Sequence, residues 1–235
     1  VGISLNSNWS VPASNCAMDL DAVRQGDGKW VRWFSDPVYG RGYPADVAAD
    51  FERQDALPNM NFIHSGDMRA ISAPMDFLGI NYYNRGVVRV NDPKNDPQKV
   101  FSSPKTPENW TEMDWENYPD GLANVLSRYY FHYQPLKMYV TENGASYSTP
   151  PTAEGNVPDE LRTLYYRTHI AASYRALQAG VPLAGYFAWS LMDNFEWAKG
   201  YAQRFGIVWV DFNTQERIIK DSGKWYKGVI KKNGF

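Results

Sequence analysis

An α/β fold with a parallel sheet is predicted by two features of the sequence. Short apolar runs alternate with helical segments, strand then helix, four times over. Each apolar run ends in polar or aromatic residues and leads into a long loop. Such alternation argues for parallel strands joined by right-handed crossovers. Polar strand ends with long loops on one side are the plan of a (β/α)8 barrel, whose active site lies at the carboxyl ends of its strands. Four units are too few to close a barrel, since closure takes about eight strands.

Residues 1–6 read as the first strand, ending on Asn6. The chain opens as strand, without Met or a polar lead-in, so position 1 is expected to be internal to a longer protein. A loop with Trp9, Pro12 and Cys16 follows. From Met18 to Phe34 the mixed apolar and charged pattern predicts a helix interrupted at Gly26 and Gly28. Asp36-Pro37 and the stretch from Gly40 to Pro44 read as loop. A short helix is expected over Ala45 to Phe51.

The second strand covers residues 75–83 and ends in Asn81, Tyr82 and Tyr83. Next comes a stretch of roughly 30 residues rich in Pro, Asn, Lys and Asp, and irregular segments of that length are usually functional. Its start, Gly86 to Val90, reads as a small hairpin strand, and Trp110 and Trp115 lie near its end. Pro119-Asp120 opens a helix with an apolar stripe of Leu122, Val125, Leu126, Tyr129, Tyr130 and Tyr133.

The third strand runs from Lys137 to Glu142 and turns at Asn143-Gly144. Pro158-Asp159-Glu160 starts a helix that ends at Gly180, with Pro182 beyond it. Ala184 to Ser190 is the fourth strand, and Met192 to Gly206 its polar, aromatic loop. Ile207 to Phe212 is expected as the return arm of a hairpin and Asp221 to Lys232 as the closing helix. Four units alone leave two sheet edges unpaired and an inward face uncovered, with Leu5, Phe77, Val140 and Phe187 as candidates for that face.

Composition narrows the function. A net charge of -2 gives no reason to expect nucleic acid or an anionic membrane as partner. No apolar run is long enough to span a membrane, and a cytoplasmic location is expected. Cys16, the one cysteine, cannot form an internal disulfide, and no Cys/His spacing of metal-site type occurs. His64, His132 and His169 lie far apart, the last two within helical patterns that suit packing or surface roles. No nucleotide fingerprint is present, so no cofactor is implied. The unusual feature is 9 Trp and 16 Tyr in 235 residues, and a cleft rich in such rings grips sugars by stacking.

Thr141-Glu142-Asn143-Gly144 carries the first candidate for chemistry. A carboxylate closing a buried strand is costly unless it is paired or used. The alternative is a polar residue ending a strand before an Asn-Gly turn. Taken singly, Trp189 also suits a barrel core, Glu196-Trp197 a solvated loop, and Asn81 the end of a strand.

Three segments together resemble one family. Thr141-Glu142-Asn143-Gly144 resembles the nucleophile motif of glycoside hydrolase family 1, the β-glucosidase and β-galactosidase family. Gly79-Ile80-Asn81-Tyr82-Tyr83 resembles its sixth barrel strand. Trp189 to Trp197, with Gly200-Tyr201, Arg204-Phe205-Gly206 and Val210-Asp211, resembles its eighth-strand loop. The match covers residues 1–235 and implies one barrel domain of which this chain is the carboxyl-terminal half, its last four β/α units.

The resemblance implies a retaining β-glycosidase that hydrolyses terminal β-linked glucose or a related sugar through a covalent glycosyl-enzyme. Glu142 would be the nucleophile, Tyr83 its hydrogen-bond donor, and Asn81 a neighbour of the acid/base. Glu196 would accept from the sugar hydroxyls at positions 4 and 6, and Trp197 would donate to another. Trp189 would stack under the sugar, Phe205 would line the pocket, and Trp115 would face the aglycone. The family's acid/base lies in a Thr-(Phe or Leu)-Asn-Glu-Pro segment that this sequence lacks. An amino-terminal half carrying that glutamate is therefore the expected partner, besides a β-glucoside substrate. Two other readings are a non-hydrolytic sugar-binding protein on a degenerate barrel and a half-barrel that associates with itself.

Overall fold

The computed structural model describes residues 1–54, 56, 60–90 and 103–234. Its centre is a parallel four-stranded sheet of β1 (Gly2–Asn6), β3 (Phe77–Asn81), β5 (Met138–Asn143) and β6 (Leu183–Ala188). The strands lie side by side in the order in which they occur along the chain. Helix α5 (Pro119–Tyr133) lies between β3 and β5, α6 (Glu160–Gln178) joins β5 to β6, and α7 (Asp221–Lys232) packs beside α6. No helix among the described residues is long and apolar enough to cross a membrane.

Strand alternation divides the sheet into two unlike faces. Leu5, Leu78, Ile80, Met138 and Val140 join Leu122, Val125, Leu126, Ala172 and Ala176 in the main core. On the opposite face Phe77 packs edge-on to Tyr139 at 5.4 Å between centroids, and Tyr139 meets Phe187 at 6.3 Å. Phe187 is 57% exposed, so this second face is left uncovered by the described residues. The expectation for inward residues is corrected accordingly. Phe77 and Phe187 belong to the open face, whereas Leu5 and Val140 point into the helices. Residues five and 140 fall on the other parity of the pleat.

Other expectations change as well. Trp9–Pro12 is strand β2, and it pairs in parallel with β4 (Arg85–Val88), so the segment near Gly86 is no hairpin arm. Gly26 and Gly28 do not break the first helix, since α1 (Ala17–Asp27) runs through a π turn at Gly28–Arg32 into α2 (Trp33–Val38). Gly28 is needed for packing: a Cβ there would sit 2.5 Å from Val47 Cγ2. Pro37 falls in the last turn of α2, and Tyr39 N closes that turn on Ser35 O and Asp36 O. Helix α3 (Ala45–Arg53) is as expected, and α4 (Asp67–Ile71) has no periodic signal in the sequence. Val208–Val210 (β7) is the outgoing arm of a hairpin whose return is β8 (Arg217–Ile219). The long segment before α5 is irregular over 103–118, and residues 91–102 lie outside the described ones.

Helix α6 buries Arg162, Tyr165, Tyr166, His169, Ala172, Ser173 and Ala176, the spacing of one helix face. His169 stacks on Tyr165 with centroids 3.8 Å apart, and burial pushes its imidazole down to about 3. The unfolded chain takes that proton near 6.5, so between 6.5 and about 3 it binds more protons than the folded chain. Stability should therefore fall with falling pH across that window, at up to about 1.4 kcal/mol per pH unit from this group. His169→Phe keeps the stacked ring and removes the titration. The difference between urea midpoints at pH 7 and pH 5 should shrink in that variant, and an unchanged difference would refute the assignment.

Candidate active site

The carboxyl ends of the four sheet strands open into one cleft of about 660 Å³. What brings Glu142 into it is a register shift. Ile80 pairs with Val140, but Asn81 pairs with Glu142, so Thr141 is an extra residue in β5. Such a bulge turns the following side chain to the other face. Thr141 and Glu142 thus both face the cleft side, and Asn143 is buried toward the helices. A regular strand would have aimed Glu142 into the helix-covered core, where an unpaired carboxylate costs several kcal/mol.

The two strand ends are tied by hydrogen bonds. Tyr83 Oη donates to Glu142 Oε2 at 2.6 Å, and Tyr82 N donates to Glu142 O at 3.0 Å. Burial, and then Glu142 itself, raises the Tyr83 phenol far above its ordinary range, which keeps it protonated as a donor. Thr141 Oγ1 donates to Asn81 Oδ1 at 2.6 Å, and Ser4 Oγ donates to Thr141 Oγ1 at 3.1 Å. Gly79 sits between Ser4 and Thr141 and leaves room for this chain of hydroxyls.

Beyond β6 the Trp189–Ser190 peptide is cis. Trp189 N donates to Asn143 O at 2.9 Å, and Trp189 O accepts from Tyr166 Oη at 3.0 Å. The loop that follows carries Glu196, Trp197 and Phe205. Its base is clamped by buried Asp193, whose carboxylate accepts from Lys220 Nζ at 2.8 Å, Arg204 Nη1 at 2.7 Å and Gly206 N at 3.0 Å. Burial raises the Glu196 carboxyl, a hydrogen bond from Trp189 opposes that, and the Glu142 charge adds to it.

Aromatic rings wall the cleft. Tyr83 lies 5.2 Å from Trp115 and 6.2 Å from Phe205, and Trp115 lies 6.0 Å from Phe205. The residue after Trp115, buried Glu116, accepts from Arg85 Nε at 2.6 Å and from Ser103 N at 2.7 Å and so fixes this part of the loop. All eight residues nominated from the sequence line this one cleft: Asn81, Tyr83, Trp115, Glu142, Trp189, Glu196, Trp197 and Phe205. Sequence reasoning missed Asn8, Trp30, Asn84 and Lys199, which line it too. Trp30 reaches it from the π turn, a kink that no periodic pattern announces. The arrangement presents two carboxylates and flat apolar rings to one space. It suits a polyol with an apolar face.

The glycosyl hydrolase family 1 model matches residues 1–235. The 1,4-beta-D-glucan glucohydrolase of Thermotoga neapolitana is 43% identical over 236 residues, covering 100% of this chain and 51% of its own length. Beta-glucosidase A of Thermotoga maritima is 40% identical over 236 residues, with the same coverage of 100% and 51%. A solved structure of a Thermotoga maritima β-glucosidase in complex with glucoimidazole superposes with a TM-score of 0.86 at 41% identity, over 100% of this chain and 51% of that one. The chain thus spans about half the length of the curated relatives it matches.

Gly144 makes a test of the site's architecture. A Cβ on it would lie 1.8 Å from Trp189 O, so the β5 and β6 ends approach this closely only without a side chain. Gly144→Ala should separate them and cost about 1–3 kcal/mol. Denaturant unfolding and the near-ultraviolet circular dichroism of the tryptophans measure it. A variant with the parent's midpoint and spectrum would show that the contact is not close.

Proposed function

Because the chain belongs to glycosyl hydrolase family 1, we propose that it is the carboxyl-terminal, nucleophile-bearing half of a retaining β-glucosidase. The observation that carries this reading is Glu142, turned into the cleft by the bulge at Thr141 and held by Tyr83 Oη at 2.6 Å. The four parallel strands are the last four of an eight-stranded barrel, and residues 1–235 are half of that single domain. Parallel sheets are covered on both faces in folded proteins. Here, among the described residues, one face is open and edges β1 and β6 are unpaired. A complementary amino-terminal half would supply the other strands and a second catalytic carboxyl group.

The chemistry needs two carboxyl groups about 5–5.5 Å apart. In the first step a Glu142 carboxylate oxygen attacks the anomeric carbon. The bond from that carbon to the aglycone oxygen breaks, and the oxygen takes a proton from the acid/base of the other half. In the second step water attacks the anomeric carbon and gives its proton to the now ionised acid/base. The ester bond to Glu142 breaks and restores the carboxylate. Tyr83 orients that carboxylate, and Asn81, bonded to Thr141, faces the acid/base. Trp189 stacks on the sugar, Glu196 accepts from its hydroxyls, Trp197 donates to another, and Phe205 closes the pocket. Trp115 lies on the aglycone side. Relatives named β-glucosidase and 1,4-beta-D-glucan glucohydrolase support a β-glucoside as substrate.

Glu142 should become glycosylated when the chain is combined with its complementary half. A 2-deoxy-2-fluoro-β-glucoside with a good leaving group should place its sugar on the peptide containing Glu142, read by mass spectrometry. Glu142→Gln should lower turnover by several powers of ten. A label on another residue, or near-normal turnover in the variant, would sink the proposal.

Glu196 should govern sugar recognition, since an unsatisfied buried hydroxyl costs on the order of 1–3 kcal/mol. Glu196→Ala should weaken glucosides by that amount and 4,6-dideoxy analogues hardly at all. Its raised carboxyl also loses the acceptor form early as pH falls, so KM for a glucoside should rise toward acid pH. In Glu196→Gln that acid limb should vanish. Equal losses for both sugars would remove Glu196 from the pocket.

A further inference from the structure

Behind the cleft lies a buried hydrogen-bond network with no atom left over. Asn143, fully buried, directs Nδ2 to Tyr82 O at 2.7 Å and to Tyr165 Oη at 3.0 Å. Its Oδ1 accepts from Tyr186 Oη of β6. Tyr165 Oη in turn donates to Tyr83 O at 3.0 Å. Every one of these bonds ends on a residue flanking Glu142 or on the backbone of Tyr83 and its neighbour. One hydroxyl on α6 therefore holds both the residue after Glu142 and the residue whose phenol bonds Glu142.

We infer that Tyr165 is a positioning residue for the Tyr83–Glu142 pair, acting across the network without touching substrate. This rests on the reading of Glu142 as nucleophile. Tyr165 is wholly buried and does not line the cleft, so a direct role is excluded by its place. Simple packing would be served by phenylalanine, which fills the same space beside His169. The hydroxyl is what a packing role does not need. Its removal leaves Tyr83 O without that donor and Asn143 Nδ2 with Tyr82 O as the one remaining of its two acceptors here, and an unmade buried bond is costlier than a made one is stabilising. The backbone tie from Tyr82 N to Glu142 O stays, but the hydroxyl that holds Tyr83 O and Asn143 together is lost, and the 2.6 Å contact between Tyr83 and Glu142 is placed less sharply. Burial keeps the Tyr165 and Tyr186 phenols protonated, so the network persists across the working pH range.

The test uses the complete enzyme, this chain combined with its complementary half, and 2,4-dinitrophenyl 2-deoxy-2-fluoro-β-glucoside. Rates are normalised to active sites titrated by the dinitrophenolate burst, so a poorly folded fraction does not distort them. Tyr165→Phe should slow formation of the glycosyl-enzyme about 10–100-fold, as a small misplacement of a reacting group does, with ground-state binding of a thioglucoside unchanged. Introduced into Tyr83→Phe, the same change should have little further effect, since residues acting through one another are non-additive. If Tyr165→Phe fails to assemble, Tyr186→Phe loosens Asn143 from its other side and should slow the same step. A parent enzyme labelled at Glu142 whose Tyr165→Phe form reacts within about two-fold of it, or whose two losses simply add, would overturn this inference alone. A parent labelled elsewhere would overturn both this inference and the reading beneath it.

Discussion

One extra residue in β5 governs the site. A strand alternates its side chains strictly, and β5 follows that rule from Met138 to Val140, burying every second residue in the helix-covered core. Had it continued, Glu142 would lie among apolar side chains and Asn143 in the cleft. The bulge at Thr141 exchanges them. The carboxylate goes to the polar side, where Tyr83 meets it. The amide goes to the buried side, where both its donors and its acceptor are used. The exchange also explains why tyrosines crowd this part of α6 and β6. A buried amide needs partners that are mostly apolar, and a phenol supplies a single polar atom on a large ring.

Around this core the loops are fastened by buried charge. Arg162 on α6 donates to Ala145 O at 3.2 Å, Tyr147 O at 2.7 Å and Arg204 O at 2.6 Å, and pairs with Asp159. Asp159 also accepts from Ser222 at the start of α7. The Asp193–Lys220 pair joins the loop after β6 to the residue before that helix. Buried ions of this kind contribute little net stability, but removing one partner is strongly destabilising. Their work is geometric: the loops after β5 and β6 are held in one arrangement relative to α6 and α7.

Much of this was legible in the sequence. The alternation of strand and helix, the stripe of α5 and the strand-end polar residues are local patterns, and they led to the right sheet. The eight site residues came from a resemblance rather than from periodicity, and one cleft collects them all. Three things were not legible. The bulge depends on how β3 and β5 pair, which no single segment encodes. The pairing of Trp9–Pro12 with Arg85–Val88 joins segments far apart in sequence, each too short to announce itself. Gly28 reads as a helix breaker, yet it is there because Val47 leaves no space for a methyl group. In each case a long-range contact overrode a local rule.

The order of the sheet has a consequence for how the molecule comes to be. Each of β1, β3, β5 and β6 neighbours the next sheet strand along the chain, yet Gly2 pairs with Phe77, Leu78 with Met138 and Met138 with Leu183, so every pairing waits for a segment tens of residues further on. The entropic cost of closing such loops grows only slowly with their length, but it is met before the pairing is gained, and parallel sheets of this kind fold slowly. Once formed, the sheet holds Glu142, its donor Tyr83 and the loop of Glu196 around one cleft. On the half-barrel reading proposed above, completing the site would be a docking event, whose rate would depend on concentration for separate halves and on tether length within one chain.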